Sequence, residues 1–164
     1  MQNNIFPVCD FELNSYLGRW YEIARLDRSS GQEYVKLTTE LVLRKKNIVS
    51  VENQEHLNTG QEWSGANNKA YFVSSVGEGY LKVPFFGPFY GSYVIYEIYK
   101  ESYQYAFVSG PDSSNLWLLS RTTHVSDEIV GNFIQQAKTL GFNTRGLIMV
   151  NQNQNQPLKN GNAV

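Results

Sequence analysis

Gly18-Arg19-Trp20-Tyr21-Glu22-Ile23-Ala24-Arg25 and, about a hundred residues later, Trp117-Leu118-Leu119-Ser120-Arg121 constrain what this chain can fold into more than any other feature. A tryptophan two residues past a glycine, at the start of a strand, needs a partner to cover its indole. An arginine ending a distant strand supplies one: its guanidinium plane stacks on the ring while its N–H groups bond main-chain carbonyls. Such a pair ties the first strand of a sheet to the last. Gly18, Trp20 and Arg121 are therefore expected to form the closed floor of a single-sheet barrel.

From Trp20 to Arg121 the chain reads as short apolar runs broken by turn residues, with no helical period. Strands are expected at residues 18–26, 35–44, 48–55, 68–75, 80–86, 93–99, 104–110 and 116–121, giving an all-β, eight-stranded antiparallel up-and-down barrel. Lys45-Lys46-Asn47, Gly77-Glu78-Gly79 and Lys100-Glu101-Ser102 read as tight turns, and 27–34, 56–67, 86–92 and 111–115 as longer connections. This alternation gathers the long loops at one end, so the barrel has an open mouth opposite its floor. Eleven tyrosines, nine phenylalanines and three tryptophans fit a strand-rich chain whose interior carries aromatic rings.

Ser126-Asp127-Glu128 predicts a helix start, a serine cap followed by carboxylates that the helix dipole favours. Ile129, Val130, Phe133, Ile134, Ala137 and Leu140 then recur at helical spacing, and Gly141 suits a left-handed stop. This single C-terminal helix is expected on the outer wall of the last two strands, which are apolar on both faces. Leu147 to Val150 could add a short ninth strand. Residues 1–150 read as one domain, and the Asn- and Gln-rich residues 151–164 as a disordered tail.

A formal net charge of -1 argues against a nucleic-acid surface or a polybasic membrane patch. No apolar run approaches the roughly 20 residues that span a bilayer, so no integral membrane helix is expected. The first ten residues of the chain as given lack a signal-peptide pattern and a lipid-anchor motif. Cys9, the single cysteine, reads as a packing residue beside a strand. His56, in a mouth loop, and His124, before the helix, lack HxH or HExxH spacing, so neither a metal nor another cofactor is expected. Ser109 and Ser120 have no evident base partner and no Gly-x-Ser-x-Gly elbow, which argues against an enzyme.

Period-2 alternation assigns the faces. With Arg121 inward, Leu119 and Trp117 also face in. Lys82 in solvent sends Leu81, Val83 and Phe85 inside, and Glu97 in solvent sends Val94, Tyr96 and Ile98 inside. Lys36 and Glu40 outside place Leu37, Thr39, Leu41 and Leu43 within. An eight-stranded interior is narrow enough that side chains alone could fill it, and periodicity leaves a filled core and a ligand cavity equally open. Phe85-Phe86-Gly87-Pro88-Phe89-Tyr90-Gly91 tips the reading, because it sets four aromatics in one mouth loop where polar residues are usual. Phe89 and Tyr90 read as an apolar ligand gate, and a homodimer contact there is compatible with it. Glu22 reads as one half of an ion pair with an arginine or as a selector of ligand headgroups, and Arg25, Arg28 and Tyr90 are unranked headgroup candidates.

Three blocks carry a resemblance: Tyr16-Leu17-Gly18-Arg19-Trp20-Tyr21-Glu22-Ile23-Ala24-Arg25, then Phe85 to Gly91, then Gly110-Pro111-Asp112 with Leu116-Trp117-Leu118-Leu119-Ser120-Arg121-Thr122. From about residue 8 to 152 the chain resembles the lipocalin family, in a bacterial branch that includes outer-membrane lipoproteins and is similar to apolipoprotein D and plant temperature-induced lipocalins. The resemblance implies a calyx that binds a fatty acid or lysophospholipid for storage or transport, no enzymatic activity, and a periplasmic or outer-membrane address serving envelope maintenance. It makes Trp20 and Arg121 structural and Trp117 a pocket residue, while Leu41 stands where a pocket tyrosine is common. A lipid-modifying enzyme on the same barrel and a protein-interaction module using Phe86 to Tyr90 are the alternatives.

Overall fold

The computed structural model describes residues 5–26, 34–43, 48–57, 62–64, 68–72, 77–86, 89–99, 101–150 and 152. Its organising strand is β1 (Gly18–Leu26), which is paired on both edges, with β2 (Tyr34–Leu43) on one side and β9 (Leu116–Ser120) on the other. Between them run β3 (Ile48–Leu57), β5 (Asn68–Phe72), β6 (Tyr80–Phe86), β7 (Phe89–Ile98) and β8 (Tyr105–Ser109), each antiparallel to its neighbour. The ladder therefore returns to β1, and the sheet closes between the strand that carries Trp20 and the strand that ends just before Arg121, as the sequence predicts. Two short strands lie off this ring among the described residues: β4 (Glu62–Ser64) pairs with β3, and β10 (Ile148–Met149) pairs with β1.

Strand starts and ends follow the sequence reading closely, with two exceptions. β7 begins at Phe89 rather than near residue 93, and Phe86 pairs with Phe89 across the β6–β7 ladder. Most of the expected aromatic loop is therefore strand, in keeping with the strand preference of phenylalanine and tyrosine. Likewise β3 runs to Leu57 and β4 pairs back on it, so His56 lies in a strand opposite Val35 and Glu62 rather than in a mouth loop. Lys45-Lys46-Asn47, residues 27–33 and Gly87-Pro88 lie outside the described residues.

Two apolar clusters share the barrel wall. The inner one contains Tyr16, Trp20, Leu41, Val49, Leu81, Ile95, Ile98, Ala106, Val108 and Leu119. The outer one joins Ile23, Ala24, Phe107, Leu116 and Leu118 to Phe133 and Ala137 of the helix α2 (Asp127–Thr139). β8 and β9 thus bury both faces, which is why both read as continuous apolar runs. Ser126 caps α2 by accepting the Ile129 N–H at 3.3 Å, and Gly141 ends it at φ +95°.

The floor has a plug that the sequence reading does not contain. A short helix, α1 (Leu13–Tyr16), precedes β1, and the segment before it brings Phe11 against Tyr16 with ring centroids 5.3 Å apart. Val8 donates its N–H to the Ile95 carbonyl at 2.9 Å and accepts from Gly79 at 3.1 Å, which stitches this segment to β7 and to the turn before β6. Cys9 beside it is exposed, a correction to the packing role expected for it. Only Gln152 of the expected tail is described, and it is buried.

Candidate functional site: the barrel lumen

At the closed end every large side chain has a fixed partner. Trp20, fully buried, donates its indole N–H to the Tyr16 carbonyl at 2.8 Å, and the Arg121 guanidinium lies 3.8 Å over its ring. That guanidinium donates to the carbonyls of Arg19 at 2.8 Å, Ser15 at 2.8 Å, Leu17 at 2.9 Å and Tyr103 at 3.3 Å. Gly18 sits at φ +101°, a conformation that costs other residues, and a Cβ there would stand 3.4 Å from the guanidinium. One guanidinium thus ties the segment from Ser15 to Arg19 to Tyr103, just before β8. Among the described residues, Tyr16 and Trp20 at this end are fully buried.

Above it the interior changes. Residues directly opposite across a ladder share a face, so the β1–β9 register decides what enters the lumen: Glu22 faces Leu119, Ala24 faces Leu118 and Arg25 faces Trp117. The register slips between Glu22 and Ala24, making Ile23 the extra residue of a bulge. Strict alternation would put Arg25 on the outer wall. The bulge puts it inside with Glu22, and Ile23 and Ala24 both pack into the outer cluster. The C-terminal segment holds the bulge: the Ile23 carbonyl accepts the Val150 N–H at 2.9 Å, and the Glu22 carbonyl accepts the Gln152 side-chain amide at 2.6 Å.

Glu22 and Arg25 form an ion pair at 3.6 Å, and their side chains keep 12% and 15% of their surface exposed although both face inward. Trp117 and Tyr93 flank them, stacked at 24° with centroids 6.3 Å apart, and both are only partly buried. Tyr93 also bonds the Tyr16 hydroxyl at 2.8 Å, joining this layer to the floor. Burial, with the nearby Glu22 carboxylate acting in the same direction, raises the Tyr93 pKa above its ordinary value.

A lipocalin-like domain model matches residues 11–152. The chain is a lipocalin. It is 51% identical to the outer membrane lipoprotein Blc of Vibrio cholerae over 152 residues, covering 93% of this chain and 89% of that protein. It is 39% identical to the Blc of Escherichia coli strain K12, covering 88% and 81%. Among solved structures, insecticyanin from the tobacco hornworm Manduca sexta superposes with a TM-score of 0.69 at 20% identity, over 91% of this chain and 85% of that one. Apocrustacyanin C1 gives 0.68 at 20% identity, over 89% and 82%. These last two likenesses speak for the fold alone.

Within this lipocalin the expected lining divides. Trp117, Leu119, Ile98, Leu41 and Thr39 are brought to the interior side or are buried beside it: Leu119, Ile98 and Leu41 belong to the inner cluster, and Thr39 is buried opposite Trp20. Tyr96 is corrected to the outer wall, where it meets Phe107 edge-on at 6.0 Å. Val94 is corrected with it, since it pairs with Ser109, which pairs with the outward Leu116. The residues that face in are Tyr93 and Ile95, and a second bulge, between Ile95 and Glu97, restores Ile98 to the inside. Strict alternation from Glu97 fails here because one extra residue inverts every facing on one side of it. The side chains of Val83, Phe85, Phe89 and Tyr90, like all of Arg28, lie outside the described residues. Sequence reasoning missed Tyr93 and the inward turn of Arg25; each stands beside a bulge that composition does not announce.

Proposed function

We propose that this lipocalin carries a single-chain amphiphile, a fatty acid or a lysophospholipid, inside the barrel at the cell envelope. The observation that carries the reading is the gradient along β1 and β9: Trp20 and Leu119 are sealed, whereas Trp117, two residues from Leu119 on the same face, keeps contact with solvent. In this reading Trp117 and Tyr93 form the wall of the lumen and Leu119, Ile98, Leu41 and Thr39 its lower boundary, while Val83, Phe85, Phe89 and Tyr90 are proposed for the mouth from the sequence alone. At about 0.8 kcal/mol per buried methylene, ten methylenes contribute roughly 8 kcal/mol before ordering costs, enough for micromolar binding by the tail alone. The envelope address is supported by relatives that are named outer membrane lipoproteins.

Native mass spectrometry with lipid extraction tests this. A single amphiphile per barrel, recovered with its mass unchanged, together with a saturable change in Trp117 fluorescence on titration, is the expected result. A barrel that stays empty and optically silent with long-chain lipids would overturn the reading, and conversion of the lipid would make it an enzyme instead of a carrier.

A further inference from the structure

The outer wall of β7 and β8 changes character as it leaves the cover of α2. Beneath the helix Phe107 is fully buried against Phe133, with ring centroids 5.1 Å apart. Two residues along the same face, toward the floor, Tyr105 is only half-buried, and Tyr99 beside it is 44% exposed. The Tyr99 N–H donates to the Tyr105 carbonyl at 3.3 Å, and the two rings stack at 6° with centroids 5.9 Å apart. Rings left in solvent like this suit an interface, where tyrosine contributes a large apolar face and a polar tip.

Carboxylates surround the stack. Glu101 accepts the Tyr99 hydroxyl at 2.9 Å. Glu97 is the ladder partner of Phe107 and shares its outward face, and Glu128 stands in the first turn of α2. Burial raises the Tyr105 pKa, and Glu97 and Glu128 push it the same way, so both carboxylates act on that ring. Among the described residues none of the three forms an ion pair. Nor do they converge as metal ligands would, since no group of three or more His, Cys, Asp or Glu among the described residues could hold an ion. Negative charge is spread around an aromatic face instead of being focused on a point.

We propose that this outward face of β7 and β8, centred on Tyr99 and Tyr105, docks an arginine-bearing basic segment of another protein. The chemistry of the face selects that partner. A guanidinium lies flat on an aromatic ring and keeps its N–H groups for carboxylates at the rim, which a compact ammonium does less well. Nucleic acid and an anionic lipid surface would both meet like charge here. The face lies across the wall from the lumen, and nothing in it depends on the lipid carried.

A fluorescein-labelled hexaarginine peptide, titrated into the full chain at low salt with backbone amide shifts followed by NMR, tests the docking face. Saturable binding is expected, with the shifts concentrated on residues 97–105 and 126–128. Raising the ionic strength to about 0.5 M should weaken binding at least roughly fivefold. Tyr99→Leu, which keeps apolar bulk and removes the ring, should weaken it about threefold, and hexalysine should bind the wild type weaker by about the same factor. Glu97→Gln, Glu101→Gln and Glu128→Gln together should weaken it roughly tenfold or more. Lipid uptake should stay unchanged in these variants. Absence of saturation, shifts scattered over the whole surface, or full affinity in Tyr99→Leu each overturns the proposal. So does a peptide-free protein that self-associates through Tyr99, because the occupant is then a second copy of the chain.

Discussion

The floor of this barrel and the layer above it are built from the same two strands, yet they treat charge in opposite ways. At the floor Arg121 spends its donors on four named carbonyls and its face on Trp20. One layer up, Arg25 has a carboxylate neighbour at 3.6 Å and an aromatic wall beside it. A guanidinium whose geometry is fully committed to the chain serves folding. One turned inward by a bulge, beside a carboxylate and an aromatic pair, is not part of that closure. Position along a strand, more than residue type, separates structure from function here.

The comparison breaks most visibly at Trp20. Its replacement by Ala removes the largest sealed side chain and the seat of Arg121, so unfolding in urea should show a loss of about 3–5 kcal/mol. Arg121→Ala should cost less, about 2 kcal/mol, because the carbonyls it leaves are partly exposed and regain water. If these floor variants bind lipid with altered affinity while still folded, the division between the two layers is wrong. Trp117→Ala should do the reverse, weakening the retained amphiphile roughly tenfold or more while lowering stability by less than about 2 kcal/mol. Binding unchanged in that variant would remove Trp117 from the wall. Gln152→Ala tests the strap: the Glu22 carbonyl loses this part-buried hydrogen bond, at a cost of about 1 kcal/mol in urea unfolding.

The two layers were not equally legible. The floor can be read from the chain because its logic is local: a glycine suited to positive φ, an indole two residues on and an arginine at the matching end of the last strand. The helix and its seat are legible for the same reason, since Ser126, the apolar period and Gly141 act within a few residues of one another. The lining is legible only as far as alternation holds. On β9, which pairs without a slip, Trp117 and Leu119 face as expected. On β1 and β7 the slips at Ile23 and beside Tyr96 invert the pattern, so Arg25 and Tyr93 come in while Tyr96 goes out. What fixes the first slip, Gln152, lies 130 residues away from Glu22 in a stretch that reads as tail. A contact of that range has no local signature.

The smallest expected effect sharpens the seam between the layers. The Tyr16 and Tyr93 hydroxyls share a 2.8 Å hydrogen bond, and burial, more than their mutual influence, raises both pKa values. In the unfolded chain each phenol ionises near pH 10. A group whose pKa is raised by folding stabilises the native state fully below its unfolded pKa and loses that contribution as pH climbs through the folded one. Stability should therefore hold to about pH 9 and fall progressively above pH 10. Replacing both residues by Phe removes donor and acceptor together, so at pH 7 the change should stay within about 1 kcal/mol. The alkaline fall should become shallower without vanishing, because Tyr96 is also raised by burial on the outer wall. Urea unfolding of both proteins from pH 7 to 11 measures this difference. Parallel curves would mean that the two hydroxyls ionise as freely in the barrel as in the open chain, and that the lumen reaches down past Tyr93 to the floor.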